Sequence, residues 1–154
     1  MKPYIDIFLS RPGLVLILGA GMLFLSWSSA HLIAFIFIYT AYDVLGFRDI
    51  DQGRGSEEYR IIQGMFKIAI LAVVGFLTGW LTVAACVVAW YLLACDVLYY
   101  WCIATPLDDF TWFLGSPVPF VYNVVFKVPA PAWAVRISAI VGTIIGLFLI
   151  INYG

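Results

Sequence analysis

Charge is what this chain has least of. Only 11% of its 154 residues are Asp, Glu, Lys or Arg, while 64% are hydrophobic. Soluble domains run near roughly 45–50% apolar and about 25% charged. A globule this small could not hide so much apolar surface. A bilayer removes the difficulty by acting as the solvent, and the mean hydropathy of +1.04 agrees. The formal net charge is −1. No basic face is available to neutralise phosphates, which argues against nucleic acid as a partner.

Histidine and cysteine are also scarce. The one histidine, His31, rules out heme held by paired histidines within this chain, and its place at the head of an apolar run suggests an interfacial, hydrated side chain. Cys86, Cys95 and Cys102 share one apolar stretch without a CxxC pair. Zinc or thioredoxin-type chemistry therefore lacks support, and the three read as small residues on a buried helix. Nucleophile elbow, phosphate loop, metalloprotease motif and Rossmann fingerprint are all missing. No cofactor is expected. A short-cored cleaved leader is missing too: Lys2 and Arg11 flank Ile5, Phe8 and Leu9 with no small-residue cleavage site, so the first apolar stretch reads as a retained anchor.

What the chain does have is long, continuous apolar runs. Continuity rather than alternation argues against a membrane β-barrel, and lipid then requires helices. The pattern predicts an all-α, polytopic membrane protein in a single transmembrane domain over 1–154, with about five crossing helices near 12–27, 30–47, 60–78, 82–104 and 132–152. Two helical hairpins are followed by a C-terminal helix. The first two helices are short for a hydrocarbon core that wants about 20 residues, so a re-entrant hairpin is an alternative there.

Basic residues sort with the predicted loops. Lys2 and Arg11, then Arg48, Arg54, Arg60 and Lys67, then Lys127 and Arg136 all fall on one side of a five-helix bundle. The positive-inside rule puts the N-terminus in the cytoplasm and the C-terminus on the opposite side. Between the fourth and fifth helices, residues 105–131 hold Pro106, Pro117, Pro119, Pro129 and Pro131 among many aromatics. Proline bars a long helix, and the aromatics suit a segment lying in the cytoplasmic headgroup layer.

Residues 13–47 and 66–100 align without gaps, with seven identities in 35 positions; Trp27 meets Trp80 and Asp43-Val44-Leu45 meets Asp96-Val97-Leu98. Such an internal repeat would make the hairpins parallel copies, a plan some transporters share, with sites at the repeat interface. A duplicated structural hairpin would look the same.

Ionisable groups inside lipid are costly and so point to function. Asp96, about 13 Å from the end of a straight fourth helix at 1.5 Å per residue, would lie near the midplane. Tyr99 and Tyr100, one turn on, could hydrogen-bond it. Asp43 would be shallower. The bland alternative is a carboxyl that glues helices together. Asp49-x-Asp51, with Asp108-Asp109 emerging on the same side, has the spacing of a weak divalent-metal site, although acidic loop pairs are usually just solvated. In the last helix Gly142 and Gly146 form a GxxxG with Ala139 one turn away, a face that admits a close partner helix from this chain or another.

Three functional classes follow. The first is a non-catalytic subunit or scaffold packed against itself, other membrane subunits and lipid. The second is a small proton- or cation-coupled carrier using Asp96 and Asp43. The third is a metal-dependent lipid-modifying enzyme.

Overall fold

Ser10 opens the first helix: its hydroxyl accepts the Gly13 amide at 3.3 Å, and Pro12 sits where a missing N–H costs nothing. The computed structural model describes residues 9–50, 56–104, 107 and 116–153, with side chains outside 47–50 and 56–60. In chain order the helices are α1 (Arg11–Met22), α2 (Ser28–Ile50), α3 (Ser56–Thr78), α4 (Trp80–Tyr91), α5 (Ala94–Cys102), α6 (Pro117–Phe120), which runs into a π-helical turn at Val121–Val125, and α7 (Ala132–Tyr153). Among the described residues there is no strand.

Among the described residues three segments are long and apolar enough to cross a membrane: Ser28–Gly46, Ile61–Thr78 and Ala132–Tyr153. A fourth exists if α4 and α5 count as one span bent by 59°. Two expectations need correcting. The first helix stops at Met22 rather than Trp27, because Leu23, Phe24 and Leu25 close onto carbonyls three residues back at 3.2 Å, the tightened pattern in which helices end. Twelve residues rise about 18 Å, short of the ~30 Å core.

The fourth helix is not straight. It breaks at Leu92–Leu93, where Leu93 takes a left-handed φ of 74° with no glycine or proline nearby to explain it. Packing supplies the reason. Leu93 is fully buried against Leu107, Ala130 and Val135. Burying a leucine is worth about 1.5–3 kcal/mol, which offsets the ~1–2 kcal/mol of one left-handed residue.

α2 is the central element, touching α1, α3, α4, α5 and α7. The main core gathers Leu32, Phe35, Val74, Ala85, Cys86 and Ala89, all fully buried. Glycines set its closest approaches. A Cβ on Gly142 would lie 2.6 Å from Leu92 Cβ, and one on Gly146 would meet Leu32 at 3.1 Å and the Ala85 carbonyl at 3.2 Å. Ala139 is buried in the same core. The GxxxG face is therefore occupied from within the chain.

The helix ends sort cleanly. Val15, Ala41, Val44, Tyr99 and Cys102 form one cluster, bringing the start of α1 and the ends of α2 and α5 together. Arg11 donates to the Trp101 carbonyl at 2.9 Å, and Arg136 of α7 lines the same cavity as both. The Pro-rich segment docks beneath this end, with Val118 and Tyr122 against the Leu93 cluster and Phe120, Val124 and Phe126 exposed.

Candidate functional site

The break between α4 and α5 faces the polar residues of α2 and α3. From α2 come Tyr39, Thr40 and Asp43, three successive contacts on one helical face. α3 contributes Gln63 and Lys67, four residues apart and so neighbours on its surface. Trp90 stands at the end of α4, and Cys95 and Asp96 open α5.

The contacts interlock. Gln63 Nε2 donates to Asp43 Oδ1 at 2.6 Å. The Thr40 hydroxyl donates to the Cys95 carbonyl at 3.2 Å, tying the middle of α2 to the first turn after the break. Lys67 Nζ lies 3.4 Å from the Trp90 ring centroid and 5.7 Å from that of Tyr39, so two aromatic faces hold the ammonium. Beside Asp43 and Lys67, Tyr42 stacks on Phe66 with centroids 3.7 Å apart. Asp43, Asp96 and Lys67 lie within electrostatic reach of one another.

Asp96 occupies the first turn of α5, where unpaired amides give a helix N-terminus partial positive character that suits a carboxylate. A break inside a membrane span exposes such a terminus at depth, tolerated where the irregular backbone is covered by protein. Inclined at 59° to α4, the six residues from Asp96 to Cys102 advance only about 5 Å along the α4 axis.

The two aspartates singled out by sequence lie within electrostatic reach of each other, and the structure adds Lys67 to them, a residue the charge pattern had grouped with the loop. It sits six residues inside the Ile61–Thr78 segment. Two such residues, Gln63 and Lys67, at helical spacing within an apolar run were the available signal. The two tyrosines lie to the side: Tyr99 is buried against Val15 and Val44, and Tyr100 lines a cavity with Arg11 and Arg136. Their rings meet edge to face at 5.8 Å. His31 differs from expectation. It is buried at 3% exposure, and its Nδ1 is 2.9 Å from the Trp27 carbonyl, so it caps the turn into α2 rather than sitting in water.

Asp51, Asp108 and Asp109 lie outside the described residues, and Asp49 is described in backbone only. Among the described residues no three of His, Cys, Asp or Glu converge as a metal site. Compared with known proteins, no family model matches this chain, nor does any curated protein or solved structure.

Proposed function

We propose that this chain is an integral membrane protein of five crossings, N-terminus in the cytoplasm and C-terminus outside, that works as a small proton- or cation-coupled carrier through Asp43, Asp96 and Lys67. The carrying observation is the convergence of two carboxyls and one lysine from three helices beside a broken span. Among the described side chains of this centre, two carboxylates stand against one ammonium, a single excess negative charge. Uncompensated charge in a low dielectric is costly, so one proton or one monovalent cation completes the site. A broken helix beside a coupling-ion site is a recurring arrangement in secondary transporters. The duplication of 13–47 in 66–100 fits this reading, because the matching aspartates of the two copies then meet near their interface.

The test is flux. Purified chain in sealed vesicles should dissipate an imposed proton or Na⁺/K⁺ gradient, and Asp96→Asn or Asp43→Asn should cut that rate about tenfold or more, as loss of a charged binding group does. Leakage equal to protein-free vesicles, or undiminished in both variants, rejects the carrier.

A second reading, a non-catalytic subunit of a larger or homo-oligomeric complex, is favoured by one observation. The Ile61–Thr78 stretch of α3 is only 11% buried within the chain. Its outer face, with Met65, Ile68 and Phe76 exposed, is free for another subunit's helix as well as for lipid. A stoichiometric protein partner retained through gentle detergent purification would select that reading.

A further inference from the structure

An apolar groove of about 860 Å³ opens between α1, α2, α5 and α7, walled by Leu18, Ile36, Leu98, Ile140 and Ile144. At the end of the bundle where the basic segments gather, it runs into a second cavity of about 520 Å³. Val97, Trp101 and Arg136 line both, and Arg11 and Tyr100 close the second. The Arg11 guanidinium is set in place rather than loose: it donates to the Trp101 carbonyl at 2.9 Å and lies 5.2 Å from the Trp101 ring centroid. Arg136 is exposed from the second turn of α7.

We propose that this groove is a binding site for an anionic phospholipid, with an acyl chain along the apolar walls and the phosphate held between Arg11 and Arg136. An open apolar groove in a bilayer fills with acyl chain whatever the headgroup. The end of the groove makes the choice. Two guanidiniums, each with five donors in a planar fork, match phosphate oxygens and carry positive charge that a zwitterionic headgroup does not neutralise. Basic pockets between helices at the cytoplasmic surface bind anionic headgroups for this reason. Arg136 joins the walls to the head site, so chain and phosphate are recognised by one continuous surface. Trp101 and Tyr100, with apolar rings and polar tips, suit the boundary between them.

The inference rests on the membrane reading above but not on the carboxyl centre. Retention in carbonate-washed membranes checks that reading separately. The site itself is tested with purified chain in nanodiscs of phosphatidylcholine doped with phosphatidylglycerol, reading retained lipid by native mass spectrometry. Phosphatidylglycerol should be retained in preference to phosphatidylcholine. Arg136→Gln and Arg11→Gln should each weaken that preference about tenfold, while Lys127→Gln, an exposed cation that lines neither cavity, should not. Ile140→Trp keeps both arginines but fills the groove, and should displace the lipid as well; it guards against an arginine variant that merely misfolds. Equal retention of the two lipids, or unchanged preference in both arginine variants, overturns the proposal. So does displacement of the lipid by millimolar inorganic phosphate alone, because the groove would then contribute nothing.

Discussion

Lys67 carries the most consequence of any single residue. It stands inside the apolar Ile61–Thr78 stretch, yet Trp90 and Tyr39 face its ammonium and Asp43 and Asp96 lie within its field. Gln63, one turn away, ties Asp43 into the same network. Removing either partner leaves a polar group without its match, at about 1–3 kcal/mol. Gln63→Met and Lys67→Met should each lower stability by that much in thermal unfolding in mild detergent. The double variant should lose less than their sum, because members of one network couple by about 0.5–3 kcal/mol. Strict additivity would separate the two residues into independent contacts. The aspartates were legible in the sequence because a carboxyl in an apolar run has no bland surface explanation. Lys67 was not: it follows Arg60 closely enough to be counted with the loop charges although it lies within the predicted third helix, and its aromatic partners Trp90 and Tyr39 come from other helices.

At the scale of elements, helix existence was legible and helix shape was not. Continuous apolar runs find the stretches now seen as α2, α3 and α7, each long enough to cross. The break between α4 and α5 leaves no mark in Tyr91-Leu92-Leu93-Ala94, since its cause lies in residues distant along the chain, Ala130, Val135 and Gly142. Packing made by remote partners cannot be read from local propensity. Gly142 permits the close approach of α7 to α4 at Leu92. Gly142→Ala should therefore destabilise by about 1–3 kcal/mol through overpacking. Gly21→Ala in α1 is the matched control: nothing lies within 4 Å of its would-be Cβ. It should leave stability unchanged or raised by up to about 1 kcal/mol, since alanine loses less backbone entropy. Equal effects in the same unfolding assay would mean that helix propensity, not contact with Leu92, governs both.

Over the whole molecule, the number of crossings turns on α1. Its twelve residues are too few for a span as a helix, yet its packing runs the length of α2. Val15 sits beside Ala41 and Val44, and Gly19 approaches Phe37 and Ile38 so closely that a Cβ would meet both at 2.9 Å. The arms are thus antiparallel. Val44 is sixteen residues beyond the start of α2, about 24 Å of rise, and the stretch of α1 from Val15 to Met22 recovers about 10 Å of that before the turns at residues 23–27. At the far end Trp27, just before α2, and Trp80, the first residue of α4, stand 69% and 81% exposed, as tryptophan does at a membrane interface. α7 begins beside Arg11 and ends, past Gly146 and the contact with Leu32 and Ala85, at that same far end. Ser10 and Tyr153 should therefore face opposite compartments. Ser10→Cys and Tyr153→Cys, labelled in turn with a membrane-impermeant maleimide on right-side-out and inverted vesicles, should react in opposite preparations. The background should be low, because Cys86, Cys95 and Cys102 are all buried. Reaction of both engineered thiols in the same preparation would make α1 a re-entrant arm, removing one crossing and inverting every compartment assigned beyond it.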